Sequence, residues 1–465
     1  MEDLKPNYQT QKILLSGNVS DETESYLIWA CHLSNNLSNS TLFSVRQAHF
    51  ARCPRREFFD KNDFYRSEFK DRYVSVSYAQ LCKDFKFNHN YIGLGGQQAQ
   101  QCIKSVVESI QSYNQLLKKY WQKEIDIKPK LPNYRKSGGL NQVTFPSQAV
   151  TYNKYEGYCS LAISNEARPN LEIKKLIIPS GVDFKPEQLV EVRITPSNGK
   201  LWAEYVYKSD KKQANDLDYS QAIGLDPGVN NWLTGVSTLG KSFILCGKKI
   251  KSINQKYNKL VAKYKKGKSN FSWDSFLANL THKRNCQRRD VVNKAARFII
   301  NYCLVNKIGN IVFGWGKEIK QNSNLGKINN QNFVAIPTAR LKKRIKELAE
   351  AIGIKFIETE EAYTSKSDYL AEDCLFKFGE KPEQYRFSVR RITRGNYRSK
   401  FGIICADALG AINIIKKVAI QLGISLVEVG RESLIVPKRY DLFSNLKKLY
   451  RKRSEMVLRL SRSNA

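Results

Sequence analysis

Apolar positions along this chain follow a helical period first and a strand period later. Across Ala99–Trp121 the side chains Ile103, Val106, Val107, Ile110, Tyr113, Leu116, Leu117 and Tyr120 fall three or four residues apart. That spacing predicts one long amphipathic helix. An earlier group, Tyr26, Leu27, Trp29 and Ala30, predicts another helix with Asp21 as its candidate cap, after a short strand around Gln11–Ser16. The segment KPKLPNYRKSGG (Lys128–Gly139) is a basic Pro/Gly-rich connector and a candidate boundary. Beyond it the period drops to two. QVTFPSQAVTY, YCSLAIS, LEIKKLIIP, EQLVEVRITP and KLWAEYVYK are short β-branched and aromatic runs between turn residues, the pattern of a small antiparallel barrel.

After Gln221 the pattern becomes α/β. AIGLDPGVNNWLTGVSTLGKSFILCG reads as three strands of a meander, followed by two basic helices over Lys248–Lys266 and Phe276–Asn306. NIVFGW (Asn310–Trp315) is a continuous apolar run, as in a buried parallel strand. A helix opens at Pro337, carries Leu341, Ile345, Leu348 and Ile352, and stops at Gly353. GIKFIETEEAYTSK then supplies a strand ending in Glu358, Glu360 and Glu361, and IICADALGAINIIKKV places Asp407 at the head of an apolar helix.

Composition narrows the classes. The chain has 465 residues, too many for one ordinary core, and its 42% hydrophobic content excludes a mainly disordered protein. A net charge of +34 calls for a polyanionic partner. No run of eighteen apolar residues occurs, so no membrane partner is expected, and the N-terminus lacks a signal-peptide layout. None of the ten cysteines forms a C-x-x-C pair, so no zinc is expected, and a reducing cytoplasm suits their scattered use.

Acidic groups at separated strand or helix ends, in the order Asp, Glu, Asp, are a layout suited to hard cations, which prefer oxygen ligands. Asp226 before Pro227-Gly228 also reads as a turn opener, and Asp407 as a helix-start acid, so neither alone is diagnostic. ARCPRREFF sets Arg52, Arg55 and Arg56 beside Phe58 and Phe59, a nucleic-acid contact by charge and stacking or, equally, a solvated turn.

The phrases GLDPGVNNWLTGV, NLGKINNQNFVAIPTARL, ETEEAYTSKSD, RRITRGNYRSKFG and ADALGAINI, in this order, resemble the transposon-associated TnpB family, relatives of the type V CRISPR nucleases. The resemblance implies a multidomain α+β protein. Residues 1–20 would give the first strand of a wedge barrel, 21–130 a helical recognition domain and 131–217 the rest of the barrel. A RuvC-like nuclease domain of RNase H fold would cover 218–365 and 403–425, interrupted by a basic insert at 366–402 and followed by a basic tail at 426–465.

The implied activity is RNA-guided DNA cleavage, with a guide RNA and target double-stranded DNA as partners and two Mg²⁺ ions as cofactor. Asp226 matches the family's first catalytic acid and Asp407 its last. Most members carry the middle glutamate where this chain has Gly314, and one branch displaces it to the next strand, where Glu360 and Glu361 stand. Neighbouring strand residues point to opposite faces, so only one of the two would face the site; Glu361 is favoured over Glu360 as the ligand beside Asp226 and Asp407. Tyr363, Thr364, Ser365 and Lys366 of the same phrase are expected at nucleic acid, as are Arg390, Arg391 and Arg394 of the insert, which lacks the zinc cysteines of many relatives. Two rivals remain: a nuclease-inactive RNA-guided DNA-binding protein of the same architecture, and a strand-joining transposase, whose acids more often run Asp, Asp, Glu.

Overall fold

Two residues decide where the longest helix begins. Ser20 is extended and its side chain accepts a hydrogen bond from the Thr23 N–H, so Ser20, not Asp21, is the cap. Asp21 is instead the first helical residue, where its charge suits the helix dipole. The computed structural model describes residues 7–53, 55–59, 65–69, 72–153, 156–172, 175–180, 185–209, 214, 216–269, 273–316 and 336–442. They fall into two units, 1–210 and 211–465.

In the first unit, β1 (Asn7–Leu14) precedes α1 (Asp21–Arg52), and a hairpin of β2 (Arg55–Phe59) and β3 (Tyr65–Phe69) follows. The helices α2 (Tyr78–Asp84), α3 (His89–Leu94) and α4 (Gly96–Trp121) come next. Helix α4 buries Ile103, Val106, Val107, Ile110, Tyr113 and Leu117, the stripe its spacing requires. The expected barrel strands are β4 (Val143–Pro146), β5 (Val150–Asn153), β6 (Tyr158–Leu161), β7 (Leu176–Pro179), β8 (Leu189–Ser197) and β9 (Lys200–Ser209). They pair as two antiparallel sheets, β1-β9-β8-β4 and β5-β6-β7. Leu27 and Cys31 of α1, Ile110 of α4, and Phe145, Val192 and Tyr205 of the strands share one core.

The second unit is built on a mixed sheet. Strands β10 (Asp218–Pro227), β11 (Asn231–Ser237) and β12 (Ser242–Cys246) form the meander. Helices α5 (Lys248–Lys265) and α6 (Ser275–Val305) lead to β13 (Ile308–Gly314), which lies parallel to β10. Helix α7 (Thr338–Glu350) leads to β14 (Lys355–Thr359), parallel to β13. A small antiparallel sheet of β15 (Arg390–Thr393), β16 (Asn396–Ser399) and β17 (Gly402–Cys405) opens into α8 (Ala406–Leu422). Helix α9 (Glu432–Ile435) and β18 (Lys438–Tyr440) complete the unit, giving the main order β14-β13-β10-β11-β12-β18.

Alternation along the strands divides the core into two layers. Ile223, Leu225, Ile311 and Phe313 pack with Val291, Phe298, Leu341 and Ile345 from α6 and α7. Ala222 and Val312 face the other way, against Leu409, Ile412 and Ile415 of α8. Helix α8 comes very close to the sheet: a Cβ on Gly224 would lie 2.1 Å from the Ala411 carbonyl oxygen. Glycine at 224 is therefore a condition of this packing.

Candidate active site

Strand order reverses at β10, which leads to β11 on one side and pairs with β13 on the other. In open α/β sheets such a switch point, at the carboxyl ends of the strands, leaves a crevice for ligands. Asp226 is the penultimate residue of β10, and Pro227-Gly228 bends the chain away, with the Gly228 N–H donating to the Trp232 carbonyl at 3.0 Å. Glu361 lies two residues beyond β14, where its own carbonyl accepts from the Thr364 N–H (3.3 Å) and hydroxyl (2.9 Å). Asp407 stands in the first turn of α8.

Two glycines let these acids converge. A Cβ on Gly410 would sit 2.8 Å from Asp226 Oδ2, so that carboxylate lies against the bare backbone of α8. A Cβ on Gly314 would sit 3.0 Å from Glu361 Cγ and 3.1 Å from its Oε1, so Glu361 reaches back across the end of β13. Burial, then the charges of Glu361 and Asp407, push the Asp226 carboxyl well above the usual carboxylate range. Burial pushes Glu361 up to about 7. Its Oε1 is buried and has no hydrogen-bond partner among the described residues. No ion pair ties any of the three acids to a lysine or arginine among those residues.

The neighbouring glutamates line the same cleft as Glu361 but are paired with lysines. Glu360 pairs with Lys417 at 2.9 Å and Glu358 with Lys342 at 2.6 Å. Asp226, Glu361, Trp315 and Tyr363 line a cleft of about 920 Å³. Tyr363 adopts a left-handed backbone (φ 61°), Thr364 is buried, and Ser365 and Lys366 are exposed at the rim. Arg390, Arg391 and Arg394 are exposed on the β15–β16 hairpin, where Arg391 lies over the Tyr397 ring and donates to the Arg394 carbonyl at 2.9 Å. In the first unit Arg52 is exposed at the end of α1. The side chains of Arg55 and Arg56, the whole NLGKINNQNF stretch (324–333) and the tail from 443 lie outside the described residues.

Several contributors carried no separate signal in the sequence. Asn231 donates to Asp407 Oδ2 and accepts from Arg439 Nη1 at 2.9 Å, holding one catalytic candidate through two elements. The second asparagine of GVNNW was visible, but its partner lies 176 positions away. Gly410, within ADALG, carries no sequence signal of its packing against Asp226. Among the described residues no group of three His, Cys, Asp or Glu side chains is drawn closely enough together to hold a metal ion. The acids therefore converge without forming a closed cage.

Residues 204–320 match the model of a family described as a probable transposase, OrfB_IS605. Solved structures similar to the chain include a Cas12f1–sgRNA–target DNA complex, at 14% identity, covering 88% of this chain and 98% of that one, with a TM-score of 0.31. A CRISPR-Cas12f ternary complex is 13% identical, covering 84% and 81%, with a TM-score of 0.33. A Cas12i–crRNA–dsDNA complex is 11% identical, covering 82% and 63%, with a TM-score of 0.31. No curated protein matched.

Proposed function

Taking the chain to be TnpB-like, as the probable-transposase match supports, we propose that it is an RNA-guided DNA endonuclease with a RuvC-like site of Asp226, Glu361 and Asp407. The observation that carries this reading is the convergence of three carboxylates from three elements, with the Glu361 Oε1 buried and without a hydrogen-bond partner among the described residues. A buried polar atom without a partner needs an explanation, and a cation from solution is one. The donor set fits divalent cations of the Mg²⁺ type, which take oxygen ligands. When bound, such ions activate water and stabilise the leaving oxygen of a phosphodiester.

The chain's own residues do the rest. Gly410 and Gly314 give the Asp226 and Glu361 side chains their room, and Asn231 fixes Asp407. The Glu360–Lys417 pair leaves the neighbouring glutamate neutralised by a lysine. The net charge of +34 supplies non-specific attraction for RNA and DNA phosphates.

A second reading has its own observation. Among the described residues the three acids form no closed cage. That arrangement favours a nuclease-inactive, RNA-guided DNA-binding protein. Sequencing the RNA that copurifies with the chain tests the part both readings share. A defined transcript carrying a variable guide is expected; heterogeneous cellular RNA would overturn both.

A further inference from the structure

Helix α8 touches the site at more than Asp407. Positions 407, 410, 414 and 417 share one face of it. Asp407 heads that face, Gly410 makes room for Asp226, Ile414 Cδ1 lies 2.5 Å from where a Gly314 Cβ would be, and Lys417 meets Glu360. Beside that face Asn413, fully buried, donates through Nδ2 to the carbonyls of Thr364 (2.8 Å) and Ser367 (2.7 Å). Its Oδ1 is buried without a partner among the described residues, so among them the amide's orientation is set by those two carbonyls.

The loop so held is the one that carries Glu361. Ahead of that residue, Lys417 Nζ donates to Glu360 Oε1 (2.9 Å) and to the Phe376 carbonyl (3.4 Å). Behind it, the Thr364 N–H and hydroxyl both return to the Glu361 carbonyl, and Asn413 anchors the Thr364 carbonyl. Tyr363, within the same turn, has a left-handed backbone (φ 61°) unfavourable for a bulky side chain, so the turn needs external support. Glu361 comes from a loop beyond its strand, yet it is bracketed on both sides by one rigid helix.

We propose that Asn413 and Lys417 are positioning residues that hold the Glu361 loop in register with Asp226 and Asp407, so that one helix sets all three carboxylates. This role rests on the reading of those carboxylates as a divalent-cation site. Partners outside the ligand shell usually matter by ten- to a hundredfold in metal affinity. Asn413→Asp keeps the side chain's size but sets a carboxylate oxygen against two carbonyls.

The test uses the full chain with its copurified RNA. Mn²⁺ binding is followed by electron paramagnetic resonance well below the melting temperature, and amide hydrogen exchange is followed across residues 361–367, α8 and β10. For Asn413→Asp the expected result is about tenfold weaker Mn²⁺ binding and faster exchange confined to 361–367. For Lys417→Met, which keeps the aliphatic stem, a smaller loss of about threefold is expected, and it decides the matter if Asn413→Asp does not fold. Unchanged Mn²⁺ affinity in a folded variant would overturn the proposal, as would exchange that rises equally in α8 and β10. Asp226→Asn separates the two levels. If it binds Mn²⁺ as tightly as the unaltered chain, the cation-site reading itself fails and takes this role with it.

Discussion

The Glu361 side chain occupies the space that any side chain at Gly314 would need, with Cγ 3.0 Å and Oε1 3.1 Å from an ideal Cβ there. An empty position on one strand and an acid beyond the next are therefore a single arrangement. Gly314→Ala places a methyl against Glu361 and 2.5 Å from Ile414 Cδ1, costing roughly 1–3 kcal/mol of stability. Guided cleavage is expected to fall at least about tenfold with DNA binding retained, since misplaced reacting groups are costly. Undiminished cleavage would show that Glu361 does not depend on this gap.

The two adjacent glutamates should behave oppositely. Glu361→Gln keeps the shape and removes the charge, and cleavage should drop by roughly a hundredfold or more. Glu360→Gln keeps an oxygen acceptor for Lys417, so cleavage should stay within about threefold. Side-by-side rates on one guided substrate check this, and the reverse ranking would move the middle acid to Glu360.

In metal-free buffer, burial raises Glu361 from 4.5 to about 7. A carboxyl raised on folding stabilises the fold while protonated, fully below about pH 4.5, and loses that contribution as pH rises through about 7. At about 1.4 kcal/mol per pH unit the loss is roughly 3 kcal/mol. Thermal melts in EDTA from pH 5 to 8 should show a steeper fall for the unaltered chain than for Glu361→Gln. Parallel profiles would contradict the buried environment of this carboxyl.

Asp226 is raised by burial and then by both neighbouring acids, so its charge is a liability without a cation. Asp226→Asn should therefore raise the melting temperature at pH 8 in EDTA, by about 2–4 °C for each kcal/mol gained. Mg²⁺ should remove that advantage by stabilising only the unaltered chain. A lower melting temperature for Asp226→Asn in EDTA would contradict the electrostatics described.

Much of the second unit was legible because its patterns are local. The apolar run ending at Gly314 gave a buried parallel strand, and the meander from Ala222 to Cys246 paired as its turns required. Strand alternation does not by itself separate Glu361 from Glu360, because both lie beyond the strand. The strand ends at Thr359, and what parts them is the loop: Lys417 draws Glu360 one way while Glu361 crosses Gly314. The observed cap lies one residue before the expected Asp21 because Ser20 and Asp21 are both good caps, and only backbone geometry separates them. Asn231, Asn413 and Lys417 were invisible as contributors because their partners are distant in sequence. The pairing of β4–β9 into two sheets likewise depends on tertiary contacts, since alternation marks strands but not their neighbours.

The most direct test is cleavage of a guide-matched DNA duplex by the full chain with its copurified RNA, with Mg²⁺ or with EDTA. Cutting that requires both Mg²⁺ and the matching guide, and that Asp226→Asn, Glu361→Gln and Asp407→Asn each abolish while still binding the duplex, is the expected result. Guided binding by the unaltered chain with no cutting at any Mg²⁺ concentration would contradict the account and leave the DNA-binding reading in its place.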